Sequence, residues 1–443
     1  MKIKKVLAVL LGLAVISAGF TACSKEEDNS SSPESLTDAQ TEATEEESKT
    51  EEKTGDTIYF MSDYDLNPSY GNERSIPLTL FEDVYGGKIE WIPTTKDTMY
   101  DDLSKAVLGG DEVDMFPYTE NALPYGVSQD LFQPLNDYID FTDERWSDIK
   151  GLADKMMYNG NYYAVPTNIA NPVVLIYNRN AVKKLDMEDP YKLYTEGKWD
   201  YDTFINMMKE YEGIGCAGWI GQGLIQATGE TYVNYDGSAF TNNIDNEAIE
   251  KAGNVIEQIS SVMYDEEWYD YLDEDILFLG AGSWDIAESN EHMKDVDDAD
   301  VFFVPFPTAD GSGNNVTADI NAKMLVKNSQ KGEAVATYLM CERIAATEEK
   351  YVKAQKNAEI ESGITEEQSD FLDTLRNPEN VVFDFAYGMS KTVSNNTTDY
   401  AERGAMNNIN DALLTGYADA PSSWTELRDS FSKAIDEEIE KYK

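Results

Sequence analysis

One histidine and three cysteines serve a chain of 443 residues. A Ser-His-Asp or Cys-His nucleophile would have to use His292, which sits in the polar stretch ESNEHMKD with nothing around it to support that role. The same scarcity excludes zinc sites built on cysteine and histidine. No GxxxxGK(S/T) loop and no strand-following GxGxxG occurs, so phosphate-cradling loops are missing. Basic residues are few: Lys and Arg total 35 against 84 Asp and Glu, a formal net charge of −49. Such a surface argues against nucleic acid or anionic membrane as partners, but says little about a pocket, whose charge is local. Paired-carboxylate chemistry is the one catalytic class that counting leaves open.

An uncharged run from Val6 to Ala22 follows Lys2, Lys4 and Lys5, the layout of an export signal. Gly12, Ser17, Gly19 and Thr21 interrupt it. That leaves it marginal for a membrane span, which needs about 20 apolar residues. Thr21-Ala22-Cys23 resembles a bacterial lipobox, with Phe20 where an aliphatic residue is usual. That resemblance implies that residues 1–22 are a signal peptide and that Cys23 carries the lipid, palmitate included. Ser24 to Asp56 holds twelve acids against three lysines, and Leu36 is its only sizeable aliphatic side chain. It cannot bury enough apolar surface to offset chain entropy, so 23–56 reads as a lipidated cysteine and a disordered acidic tether.

The remainder, Thr57–Lys443, is too long for one core and suggests two lobes. TIYFMS and KIEWIP read as strands, and SIPLTLFEDVYGG between them as a helix stopped by glycines. YDDLSKAVLGG then VDMFPY repeats that plan, and NPVVLIYN has the continuous apolar run of a strand buried on both faces. Ile249, Ala252, Ile256, Ile259 and Met263 form one helical stripe. Trp424, Leu427, Phe431, Ile435 and Ile439 form another, opened by Ser423 and Glu426 as a capping box. Strands alternating with helices predict an α/β fold of crossover units. Cys216 and Cys341 are equally compatible with a disulfide and with two buried thiols.

Four ordered blocks then carry a resemblance. They are LSKAVLGGDEVDMFPYTENALPYGVSQDLFQPLNDYI, YNGNYYAVPTNIANPVVLIYNRNAVKKL (with KWDYDTFINMMKEY behind it), FLGAGSWDIAE and VFFVPFPTADG. Together they resemble the family 1 extracellular solute-binding proteins of bacterial ABC importers, the group of maltose- and oligosaccharide-binding proteins. The resemblance implies a type II periplasmic-binding-protein fold: two lobes, a multi-crossover hinge, and a ligand cleft between them. The first crossing is expected at VPTNIANP, restricted by Pro166 and Pro172, and the second at FFVPFP with Pro305 and Pro307. That places the N-terminal lobe at 57–167 plus about 304–325, and the C-terminal lobe at 168–303 plus about 326–443.

Matching the family's pocket positions implies a ligand set of Tyr118, Glu120, Asn121, Asn171, Trp284, Ser62 and Asp63. Trp219 and Gln222 are added because the glycines of GCAGWIGQG would let a ligand come close. Aromatic faces cover the C–H side of a sugar ring, while Asn, Asp, Glu and Gln satisfy its hydroxyls. No Lys or Arg cluster marks a phosphate or carboxylate site, which favours a neutral saccharide. The expected protein is a lipid-anchored monomer on the outer face of the cytoplasmic membrane. It captures a solute and hands it to ABC permease subunits, with no catalytic residue, cofactor, metal or nucleic acid. Two rival readings stand beside it: a sensory or adhesive sugar-binding lipoprotein, and a secreted glycoside hydrolase using two carboxylates 5–10 Å apart. The acidic stretch YDEEWYDYLDED lacks the glycine-turned spacing of a calcium loop.

Overall fold

The computed structural model describes residues 55–68, 74–211, 214–262, 276–286, 300–390, 393, 409 and 423–443. The export signal, Cys23 and almost all of the tether, Met263, the acidic stretch at 264–275 and His292 lie outside the described residues. The chain divides into two compact units. One runs up to Phe116 and returns for Ser329–Ala358; the other holds Pro117–Asn328 and Glu359–Lys443. The lobe limits expected near 167, 304 and 325 all fall inside the second unit.

In the first unit, β1 (Thr57–Ser62) pairs in parallel with β2 (Lys88–Pro93) from Thr57↔Lys88 to Ser62↔Pro93. β3 (Met115–Pro117) joins β1 in parallel at Phe60↔Met115. The expected helix between β1 and β2 starts at Ile76, capped by the Ser75 side chain, and changes at Leu80 into a wider turn ending at Val84. Beneath the following glycines lies the reason for the stop. A Cβ on Gly87 would meet the Phe81 ring at 2.3 Å, so only glycine lets the chain close over that buried side chain. The helix Gly332–Thr347 covers this layer, with Tyr338 edge-on to Phe81 at 5.6 Å. Ahead of it, Lys331 Nζ donates to the Thr57 carbonyl (2.7 Å) and to Glu112 and the buried Asp114, stitching the start of β1 to this helix.

The second unit contains two sheets and a hairpin. β4 (Phe132–Gln133) and β5 (Ala164–Ala170) belong to one sheet; β6 (Val173–Asn178) and β7 (Ile214–Gly218) belong to the other. The hairpin is β8 (Val233–Tyr235) with β9 (Phe240–Asn242). β10 (Ile276–Gly282), β11 (Val301–Val304) and β12 (Asp319–Val326) complete the unit. The order β11-β6-β10-β7 buries Val173 to Tyr177 completely or nearly so, as the continuous apolar run predicts. β12 runs antiparallel to β5, from Asp319↔Ala170 to Met324↔Ala164. Pro166 faces Ala322 beside the register shift between Asn321 and Ala322, a place where a missing N–H is tolerated.

Both amphipathic stripes are core. Ile249, Ala252, Ile256 and Ile259 are buried on the helix Glu247–Ile259. They face a C-terminal helix, Trp424–Ile439, that buries Trp424, Leu427, Phe431, Ile435 and Ile439. The fit is close: a Cβ on Gly253 would sit 1.9 Å from the Trp424 ring, whose Nε1 donates to Glu250 at 2.9 Å. Ser423 caps that helix by accepting from Glu426 N (3.3 Å), while a complete capping box, unnoticed in the sequence, joins Thr365 and Gln368. Cys216 and Cys341 are buried thiols that do not bridge one another, and burial pushes the Cys216 thiol well up.

Trp424→Ala removes this fully buried indole and its hydrogen bond; a loss of about 3–5 kcal/mol is expected from large-to-small core substitution. Urea unfolding followed by circular dichroism measures it.

Candidate ligand-binding site

Two neighbouring parallel strands of the second unit lead into tryptophan: Trp219 directly follows β7, and Trp284 lies two residues beyond β10. β7 and β10 pair through Gly280↔Gly218, so their carboxyl ends lie at one edge of the sheet. Ligands of open α/β folds gather at such edges. Gly218 is in the left-handed region (φ 81°), and a Cβ there would meet the Gly280 carbonyl oxygen at 2.2 Å. Directly behind it, Trp219 N donates to that same carbonyl at 2.8 Å, and the helix Ile220–Ala227 begins. After β10, a single turn at Ser283–Ile286 presents Trp284, whose ring lies over Gly282 so closely that a Cβ would sit 2.1 Å away. The two indoles meet edge to face, centroids 5.6 Å apart at 72°, and both remain open to solvent at 38% and 42%. Large aromatics are ordinarily buried, so an exposed pair at neighbouring strand ends marks a candidate binding surface.

Polar groups converge from the adjoining chain. Ser283 N donates to the Pro172 carbonyl (3.0 Å), tying the Trp284 turn to the link between β5 and β6. Asn171 in that link has φ 50°, a conformation asparagine tolerates better than most residues, and its Nδ2 donates to Asp319 Oδ2 at 2.7 Å. Glu120 lies on the turn after β3. Its side chain reaches solvent, but desolvation by the surrounding chain and then the Asp319 charge push its carboxyl up to about 7. Tyr118 and Asn121 on the same turn are half-buried, with Tyr118 N donating to the Ala322 carbonyl at 2.9 Å. Gln222 is half-buried in the first turn of the helix that follows Trp219.

Thus the second unit brings Trp219, Trp284, Asn171 and Glu120 into one connected set. Ser62 and Asp63 belong to the first unit. Ser62 is fully buried at the end of β1, its hydroxyl donating to the Tyr64 carbonyl, and Asp63 beside it is half-buried. Three further residues, one in the second unit and two in the first, were not named from sequence. Asp319 gave no local signal, because only the pairing of β12 with β5 brings it beside Asn171. Trp91 and Tyr64 are exposed near the carboxyl ends of β2 and β1, with Trp91 Nε1 donating to the Ser62 carbonyl (3.0 Å). The rule that parallel-strand ends collect ligands would have flagged the tryptophan of KIEWIP.

A separate concavity of about 550 Å³ is lined by Asp186, Met187, Glu188, Lys198, Asp200 and Met207 among others, and contains none of these residues. It offers no aromatic face, and the tryptophan pair remains the better candidate. Among the described residues no cluster of three His, Cys, Asp or Glu is arranged for a metal, and no helix is long and apolar enough to cross a membrane.

Residues 79–355 match the family described as bacterial extracellular solute-binding protein. The chain belongs to that family. This solute-binding protein also shares its fold with solved receptors at low identity. The galacto-N-biose-/lacto-N-biose I-binding protein of an ABC transporter from Bifidobacterium longum is 14% identical, with 88% of this chain and 99% of that one covered at TM-score 0.57. A cyclo/maltodextrin-binding protein complexed with maltotetraose is 15% identical over 88% and 99%, at TM-score 0.59. A sugar transporter protein from Rhizobium etli in an open conformation is 14% identical over 87% and 99%, also at 0.59. No curated protein matches the sequence. The α/β solute-receptor fold expected from the four blocks is therefore the fold of this solute-binding protein, and the family places its work outside the cytoplasm.

The electrostatics give a direct check. The folded pKa of Glu120 lies above its ordinary value of 4.5, so between about pH 4.5 and 7 the folded chain keeps a proton that the unfolded chain releases. Its contribution to stability therefore declines as pH rises through that window and levels off above 7. Asp319→Asn removes the like charge; the Glu120 midpoint should fall yet stay above 4.5, because desolvation is the larger cause. Carboxyl carbon NMR titration reads both values.

Proposed function

We propose that this chain is the substrate-binding lipoprotein of an ABC importer and that its solute is a neutral mono- or oligosaccharide. The observation that carries the reading is the exposed Trp219–Trp284 pair on the ends of β7 and β10, with Asn171, Asp319 and Glu120 alongside. Indole faces suit the C–H surface of a pyranose, and the amide and carboxyl groups suit its hydroxyls. Buried polar groups left unpaired by the wrong sugar cost roughly 1–3 kcal/mol each, which is how such a surface discriminates. Proteins of the same fold were solved with lacto-N-biose, maltotetraose and acarbose, which supports this substrate class.

In this reading Tyr118, Asn121 and Gln222 complete the ligand contacts, and Ser62 and Asp63 contribute from the first lobe. Capture is by closure about the connecting segments, driven by contacts that only the closed state makes. No bond of the solute is made or broken. Lipid on Cys23 holds the protein at the outer face of the membrane, and the acidic tether lets a monomeric body reach its permease. One acyl chain alone binds membranes only marginally, so retention requires more than one.

A thermal-shift panel containing maltotetraose, lacto-N-biose and galactose tests the reading, since a ligand that binds only the native state raises its melting temperature. At least one saccharide should stabilise the protein, and the sugar should be recovered intact. Trp284→Ala should then weaken the best binder by about 2 kcal/mol, roughly thirtyfold in Kd by titration calorimetry. Silence across the panel, or an unchanged Kd in the variant, would remove the reading or its site respectively.

A further inference from the structure

We infer that the segment Asp384–Met389 is a positioning strut, which fixes the Glu120 turn relative to the Trp219 helix and so sets which solute the site accepts. The inference rests on the ligand site proposed above; none of the strut's residues is offered as a solute contact.

Three attachments define it. At one end, Asp384 is buried. Its carboxylate accepts from Tyr232 N (2.5 Å), Val233 N (3.4 Å) and Ala386 N (2.9 Å), which locks it to the start of β8. Next to it, Phe385 packs among aromatic rings, with centroids 5.2 Å from Tyr235, 5.4 Å from Phe240 and 4.9 Å from Phe383. In the middle, the Tyr387 hydroxyl accepts from Gln226 Nε2 at 3.3 Å. Gln226 lies near the end of the helix that Trp219 opens, so this contact reaches the aromatic side of the site.

At the far end, Gly388 lies directly on the backbone of the Glu120 turn. A Cβ there would sit 1.9 Å from the Leu123 carbonyl oxygen and 2.1 Å from that of Glu120. Both obstacles are main-chain atoms, which cannot swing aside as a flexible side chain can. Any residue larger than glycine must displace either the strut, held by Asp384 and Phe385, or the turn, which carries Glu120 and Asn121. Within the turn, Ala122 N donates to Thr119 O (2.9 Å) and Leu123 N to Glu120 O (3.3 Å). The separation of the polar turn from the tryptophan helix is therefore written into residues outside the site.

Gly388→Ala in the mature chain tests this by amide hydrogen exchange and by binding of maltotetraose, lacto-N-biose and galactose. The Ala122 and Leu123 amides should exchange about tenfold faster while those of the β5–β12 ladder keep their rates. Affinity for whichever sugar binds should fall about tenfold, a misfit of the size that overpacking produces. In a Glu120→Ala/Asn121→Ala background the same glycine substitution should leave affinity within about twofold, since the groups it displaces are gone. Equal losses in both backgrounds, or unchanged exchange at Ala122 and Leu123, would overturn the inference. Should Gly388→Ala fail to fold, Tyr387→Phe takes its place: binding should weaken about threefold in the parent and not at all on Trp219→Ala. Equal weakening in both would count against the strut. If the parent binds none of the three sugars, the saccharide reading fails, and the exchange measurement still decides the strut.

Discussion

The antiparallel register of β6 on β10, with Gly282 opposite Val173, governs the whole candidate site. It stops the two strands at the same level, so that the Pro172 carbonyl meets Ser283 N and the Asn171 link lies beside the Trp284 turn. A slip of one residue would send every side chain of β6 to the opposite face. Val173 to Tyr177 are all buried, so such a slip would have to repack the close-packed interior on both sides of the sheet. Site geometry is thus a by-product of core formation: the interior decides where the strands end, and the ends decide where the indoles and amides stand.

Electrostatics plays a different part on the surface than near the ligand groups. Several ion pairs among the described residues are exposed, such as Lys192–Glu188 and Lys251–Glu247, and such pairs contribute about 0–1 kcal/mol each. They moderate the repulsion of a chain carrying −49 without defining structure. Buried acids behave otherwise. Asp114 is neutralised by Lys331 in the first unit, whereas Asp384 relies on three backbone N–H donors, and burial still pushes its carboxyl up to about 7.

Much of the fold was legible because its signals are local. The run in NPVVLIYN, the strands TIYFMS and KIEWIP, and the two stripes ending at Ile259 and Ile439 each carry their own burial pattern in a short window. The turn that exposes Trp284 was legible too, from Gly282 before it and Asp285 after it. What stayed hidden depends on distant pairing. Asp319 reaches Asn171 only because β12 returns to β5, and Gly388 reaches Leu123 across more than two hundred residues. Ser62 shows the converse: it ends a strand as expected, yet its side chain is turned inward, a detail no strand pattern encodes.

Gly282 means that the floor beneath the Trp284 indole is bare main chain. No mobile side chain has to be ordered there when a ring settles. Exchange of Trp284 for another aromatic would therefore meet main chain rather than a packed side chain. A lineage carrying this scaffold is free to drift in sugar preference by changing what stands on the floor, while the floor itself is barred from change.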